Sequence, residues 1–379
     1  MSHKVCIYAI CKNEAKFIEK WLENMSEADY IVVLDTGSTD ETYELLKNDP
    51  RVTLVEQEVI NPWRFDVARN RSMELVPEDA DILVCTDFDE LFEPGWAQIL
   101  RDNWNPAEHN RAHYLYIWGH NENGEPQDTF VYDKIHTRDF YWKYPVHEVL
   151  WQEEEIEPRF LELADSVVLH HWQDKEKSRQ SYDPLLKLAC EENPEDSHIH
   201  FLYAREKLIN KKYDEAIDLY QEVLKMPDIK APNKWLVLLD AHYQLAQALF
   251  AVGSYWEVIS YCQDFIYLDK TYRDPYFLMS EAFLSLTLDT LAEATAEAGF
   301  KYGIKHNDWV ETSNSWLGWG NDILARAKYR LGHLDESIQH YKIAVSHEPN
   351  DIQLLRNYIM ALEIAHSKQI SSENDGQTQ

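Results

Sequence analysis

What the chain lacks narrows it before any motif is read. Its five cysteines (Cys6, Cys11, Cys85, Cys190 and Cys262) are odd in number and have no CxxC spacing. That excludes a disulfide frame or a cysteine zinc site and predicts reduced thiols. No run of Lys or Arg concentrates positive charge against the formal net charge of -31. A nucleic-acid-binding face is therefore not expected, and an anionic ligand would need a few placed cations or a metal ion. No apolar stretch reaches membrane length, and the run inside "MSHKVCIYAICKNE" is too short for a signal h-region. There is no GxGxxG after the first apolar run and no GxxxxGK[ST], so the dinucleotide fingerprint and the P-loop are both missing. These absences predict a soluble, cytoplasmic protein.

What is present is enough to fold. Hydrophobic residues make up 45% and aromatics 13%, and 379 residues exceed one ordinary core, so two domains are expected. The first half alternates between two periods. Val5 to Ile10, Tyr30 to Leu34, Arg51 to Val59 and Asp81 to Cys85 read as strands. Ala15 to Met25, a segment through Leu46 capped by Ser38 or Thr39, and Phe65 to Leu75 read as helices. Apolar strands separated by helices predict an α/β, mainly parallel sheet. In such sheets ligands bind beyond the carboxyl ends of the strands, and "CKNE", "DTGSTD" and "TDFDE" fall at those ends.

The stretch "VCTDFDE", residues 84–90, closes a buried strand with acids. Alternation along an extended segment puts Asp87 and Asp89 on one side and turns Phe88 into the fold. Paired carboxylates there suit a hard cation, Mn2+ or Mg2+, which can bridge to a diphosphate and offset its charge as it leaves. The plainer alternative is a solvated loop that caps the helix near Pro94.

These residues resemble GT-A fold glycosyltransferases of family 2, in the branch that carries tetratricopeptide repeats behind the catalytic domain. "AICKNEAKFIEKWLE", "IVVLDTGSTDET", "PWRFDVARNRSMEL" and "ILVCTDFDELFEPG" stand in that order with similar spacing. The resemblance implies that Glu14 and Asp35 sit near the base and ribose of a UDP-sugar or related donor, with Asp40 supporting their loop. It places Arg69 near the nucleotide and has Asp66 and Asn70 line the pocket. Asp87 and Asp89 become the DxD pair, with Asp89 the more direct metal ligand. Thr36 stands where many relatives have a second Asp, which bears on uridine specificity. Turn formation for Asp35 and Asp40, a surface ion pair for Arg69 and a helix start for Asp66 are the competing readings.

Residues 111–175 are rich in Tyr, Trp and His and are expected on the acceptor side, with an aromatic core layer as the alternative. "PVHEVL" offers Glu148 as the base that takes the acceptor proton, with His147 as its rival. "SVVLHHW" offers His170, which the resemblance makes a third metal ligand beside the DxD oxygens; a buried structural histidine is the alternative.

From about residue 195 the pattern turns helical. Ala204, Tyr213, Ala216, Tyr220 and Pro227 hold tetratricopeptide offsets, as do Ala325, Gly332, Tyr341, Ala344 and Pro349, with Ala246 and Gly253 between them. Such pairs must stack to cover their apolar faces, which predicts a helical solenoid with extra turns near 228–236 and 303–317. The expected plan is a GT-A domain over 1–178, repeats over 179–366 and a disordered polar tail over 367–379. The expected partners are a nucleotide-sugar donor, a glycan, lipid-linked or peptide acceptor, and a protein or second copy on the repeats. An inactive interaction scaffold is the alternative from another class, and the intact Asp35, Asp87 and Asp89 argue against it.

Overall fold

The computed structural model describes all residues except 1–2, 121–123, 125, 154, 174–181, 305–316 and 377–379, and only the backbone at 127–128 and 369–376. The chain divides into two compact units, residues 1–189 and 190–379.

The first unit opens with β1 (Val5–Cys11), α1 (Ile18–Met25), β2 (Tyr30–Asp35), α2 (Thr42–Asn48), β3 (Leu54–Gln57), α3 (Phe65–Glu74) and β4 (Ile82–Cys85). It continues with β5 (Glu90–Phe92), α4 (Trp96–Asn103), β6 (Arg111–His120), β7 (Pro126–His136), β8 (Phe140–Lys143), β9 (Val149–Gln152), β10 (Phe160–Glu162) and β11 (Val168–His171). Helix α5 (Tyr182–Glu192) follows. The main sheet runs β3-β2-β1-β4-β7-β6-β11-β5, with β10 beside β6, while β8 and β9 form a separate hairpin. Strands β1 to β4 are parallel to one another, β7 enters antiparallel, and β11 runs parallel to β6.

Both faces of this sheet are covered, which is why its central strands read as unbroken apolar runs. Ile7, Val33 and Val84 pack with Trp21, Leu22 and Met25 of α1 and Trp96 of α4 on one face. Tyr8, Val32 and Leu83 pack with Val76, Phe140 and Trp142 on the other. Two expectations need correction. The third strand spans only Leu54–Gln57, because β2 pairs with just those residues and Val59 lies 70% exposed. Neither Ser38 nor Thr39 caps α2; Asp40 accepts from the Thr42 amide at 3.0 Å, since the other two are bound to Asn13.

Among its described residues the second unit has helices and no strand: α6 (Ser197–Ile209), α7 (Tyr213–Val223), α8 (Trp235–Ala251), α9 (Tyr255–Leu268), α10 (Asp274–Ser285), α11 (Asp289–Tyr302), α12 (Gly318–Arg330), α13 (Leu334–His347) and α14 (Ile352–Gly376). Each packs chiefly on the next, as stacked hairpins do. Ala204, Ala216, Ala246, Ala325 and Ala344 are fully buried where helices approach. Two short 3-10 turns at Pro227–Lys230 and Pro232–Lys234 supply the extra length expected near 228–236. The other expected insertion falls mostly outside the described residues. The polar tail differs from expectation: α14 carries on to Gly376, because "SKQISSEND" contains no proline or glycine to stop it.

Candidate active site at the ends of the parallel strands

The parallel register sets the site. Cys11 of β1 lies beside Asp35 of β2, and Tyr8 beside Cys85 of β4, so three loops leave one edge. Asn13, at φ 60°, fastens the first two. Its amide donates to Ser38 Oγ at 2.8 Å, and its Oδ1 accepts from the amide of Thr39 at 2.7 Å. Glu14 is buried, and its amide donates to Thr42 Oγ1 at 2.8 Å, while Ala15 donates to Asp40 Oδ2 at 3.4 Å. Nothing local marks Asn13 beyond its place in "CKNE", because its partners lie 25 residues or more away.

Asp35 is fully buried, and its Oδ1 accepts from the amides of Gly37 and Ser38, both at 2.8 Å, and from Gln57 Nε2 at 3.1 Å. Burial pushes its carboxyl up, but these hydrogen bonds prevail and hold it below the usual carboxylate range. Gly37 at φ +104° lets the chain fold back over that carboxylate, and a Cβ there would meet Val59 at 3.0 Å. Asp40 is likewise held low: burial raises it, and the bonds from Thr42 and Ala15 overcome that. Thr36 is buried, and its hydroxyl donates to the Cys11 carbonyl at 2.9 Å, so it faces β1.

Arg69 of α3 organises the next part. Its Nη2 donates to Asp87 Oδ1 at 3.0 Å and Oδ2 at 3.2 Å, its Nε to Glu148 Oε1 at 2.5 Å, and its Nη1 to Cys85 Sγ at 3.1 Å. The guanidinium lies 5.2 Å from the Trp142 ring. Burial opposes its charge, but Asp87, Cys85 and Glu148 outweigh burial and keep it firmly protonated. Burial also pushes the Cys85 thiol up to about 11, against the pull of Arg69 and Lys134, so it stays neutral. A second buried cation, Lys134 of β7, donates to Glu90 at 2.7 and 2.9 Å and lies 3.8 Å from Asp87 Oδ2. Glu90 also accepts from Tyr116 at 2.8 Å and from the Asp87 amide at 2.9 Å. It is thus the buried anchor of the acidic loop. A lone lysine in a strand carries no sequence signal for this role.

Phe88 turns inward as expected and stacks on Trp21 at 4.2 Å. Asp89 is buried, with His171 Nε2 3.6 Å from its Oδ2. His170 does not reach it. Adjacent residues on β11 alternate faces, and His170 instead bonds His120 Nε2 at 2.9 Å and lies 3.3 Å from Glu93 Oε1. The histidine beside the acids is therefore His171. Among the described residues no group of three His, Cys, Asp or Glu converges as a ready metal site. Asp87, Asp89 and His170 are not brought together as the expected set, since Asp87 is held by Arg69 and His170 faces away. Asp89 and His171 stand side by side, a carboxylate and an imidazole; both are donor types that divalent ions accept.

Two residues expected in the pocket have structural partners. Asn70 donates from Nδ2 to the Trp142 carbonyl at 2.8 Å and accepts the Trp142 amide at 2.7 Å, which locks α3 to β8. Asp66 accepts from Arg64 Nε at 3.0 Å and from Arg64 Nη2 at 2.8 Å, and from the Val67 amide at 2.8 Å, at the start of α3. His147 takes φ 52° and packs edge-on against Tyr182 at 5.6 Å.

Residues 6–148, the span that holds Asp35, Arg69, Asp87, Asp89 and Glu148, match the glycosyl transferase family 2 model. The chain carries a family 2 glycosyl transferase domain. Its sheet and the following helix pairs make the fold α/β plus all-α, a GT-A domain with a tetratricopeptide-like solenoid. No curated protein matches the chain. Among solved structures, it is similar to a thermophilic TPR protein of Thermus thermophilus, at 20% identity, 47% of this chain, 88% of that one and a TM-score of 0.32. It is also similar to the MamA protein, at 17% identity, 47% and 86% coverage and a TM-score of 0.36. YrrB, described as a TPR protein with an unusual peptide-binding site, matches at 14% identity, 48% and 84% coverage and a TM-score of 0.37. The solenoid reading stands on this chain's own helix pairs. No described helix is long and apolar enough to cross a membrane.

Proposed function

We propose that this glycosyltransferase is metal-dependent and inverting, and moves one sugar from a nucleotide diphosphate, UDP-sugar first, to an acceptor hydroxyl. The observation that carries the reading is the clustering at one sheet edge of Asp89 with His171 and of Arg69 with Asp87 and Glu148. Catalysis is assigned to residues 1–178 and partner binding to the repeats over 179–366. The five buried free thiols suit a reducing, cytoplasmic setting.

In this reading the Asn13-fastened loops present Glu14 and Asp35 to the base and ribose, with Asp40 holding their shape. Arg69 fixes Asp87 and holds the Glu148 carboxylate by an ion pair beside it. Glu148 accepts the proton of the acceptor hydroxyl as that oxygen attacks the anomeric carbon and the bond to the diphosphate breaks. A divalent ion such as Mn2+ or Mg2+ bound by Asp89 and His171 would supply positive charge to the leaving diphosphate. The buried Glu90–Lys134 pair keeps the acidic loop in place throughout.

Thermal shift with UDP, GDP and CDP, with and without Mn2+, tests the proposal. One nucleotide should stabilise the chain only with metal, by about 2.7 kcal/mol at a hundredfold excess over its Kd. Silence from all three would favour the inactive scaffold.

A further inference from the structure

Helix α14 carries aliphatic side chains on both of its sides. The inner side packs on α13, where Leu354 and Ala361 are buried and the Tyr358 ring lies 6.4 Å from Tyr341. The outer side carries Ile352, 65% exposed, Ile359, 51% exposed, and Leu362, 41% exposed, with the half-buried Leu355 between them. Spacings of three and four residues line these four side chains up as one stripe along the helix. The outer helix of a stack normally avoids such a row, since an end face needs polar residues to stay soluble. Exposed aliphatic stripes of this kind mark contact surfaces.

The charges beside the stripe show what fits it. Arg356 and Glu363 flank it on one side, both exposed, and among the described residues neither has an ion-pair partner. A second α14 laid antiparallel on the first sets Ile359 against Leu362 of the other copy. It also brings Arg356 toward Glu363 of that copy, and two-fold symmetry makes the same pair twice. Over residues 352–368 two cations, Arg356 and Lys368, stand against one acid, in a chain of net charge -31. Two copies can therefore meet at α14 without the repulsion between acids that most of their surface would impose. The same net charge turns away an anionic lipid surface. We propose that α14 is the contact through which two copies of this chain form an antiparallel, two-fold dimer. The stripe from Ile352 to Leu362 spans about 15 Å, which is short for a permanent interface, so the dimer dissociates on dilution.

Sedimentation equilibrium on the full chain, over about a hundredfold range of concentration, tests it. The mass should rise from one chain to two and no further, because a self-complementary contact closes at two. Ile359→Asp should weaken association about tenfold or more, since it buries a charge in the dimer alone. Its Tm should stay that of the wild type, because the side chain is exposed in the single chain. Trp256→Asp puts the same charge at another exposed apolar position and should leave the dimer intact. Arg356→Glu and Glu363→Arg should each weaken association about three- to tenfold, and the two together should restore it. The proposal is overturned by a single-chain mass throughout, by open-ended growth, or by a dimer that ignores Ile359→Asp. Loss of the dimer in Trp256→Asp, or a double reversal that recovers nothing, overturns it as well.

Discussion

Arg69 holds Asp87 and Glu148 on different nitrogens of one buried guanidinium, so removing it takes a shared cation from both acids and leaves Asp87 with the more distant Lys134. Arg69→Ala should cost about 3–5 kcal/mol in urea unfolding, with Arg69→Lys in between because an ammonium cannot serve both acids in that geometry. An unchanged midpoint in the alanine variant would show that the pairing carries no stability. Asp89→Ala should abolish sugar transfer while circular dichroism stays native, and turnover retained in that variant would refute its assignment. The acids at the strand ends were legible because period two and strand termini are written locally in "VLD" and "VCTDFDE". The choice between His170 and His171 was not. It depends on the register in which β11 meets β5, a long-range fact that pairs His171 with Glu90. Lys134 stayed hidden for the same reason, since Glu90 is 44 residues away.

At the level of elements, helix α3 is joined to β8 by the Asn70 side chain, which completes both backbone groups of Trp142. Asn70→Ala should destabilise the first unit by about 1–3 kcal/mol through unsatisfied partly buried groups. Hydrogen exchange at the Trp142 amide should speed up, and a protected amide would show that water or another group replaces the bond. In the second unit Gly320 of α12 sits where a Cβ would approach Phe277 to 2.4 Å and Phe300 to 2.6 Å. Gly320→Ala must therefore displace two rings, and a lowered Tm is expected even though alanine is the better helix former. The helix pairs were readable from small residues at fixed offsets, because close helix crossings demand them. The length of β3 was not readable, since its ends depend on how far β2 accompanies it.

Across the whole chain, 67 acidic residues face 36 basic ones, so self-repulsion weighs against the folded state. Raising NaCl from about 0.02 to 0.3 M should raise Tm, as the screening length falls to a few ångströms. A fall would mean that ion pairs such as Arg71 with Glu56, Glu58 and Glu74 dominate. Asp240 adds a pH term. Burial lifts its carboxyl to about 6, despite the bond from Gln244. A raised folded value means its contribution to stability is full below about pH 4 and is lost as pH rises through 6. Asp240→Asn should flatten that part of the stability profile, and an unchanged slope would place the titration elsewhere. The two-part plan was legible because the hydrophobic period switches near residue 195, whereas the limits of the units depend on contacts between distant segments.

All five cysteines are buried and unpaired: Cys6, Cys11 and Cys85 in the sheet, Cys190 on α5 and Cys262 on α9. An alkylating reagent should thus find nothing to modify until part of the chain opens. Peptide mapping after timed exposure would then turn these five sulfurs into clocks, each recording how often its own neighbourhood breathes.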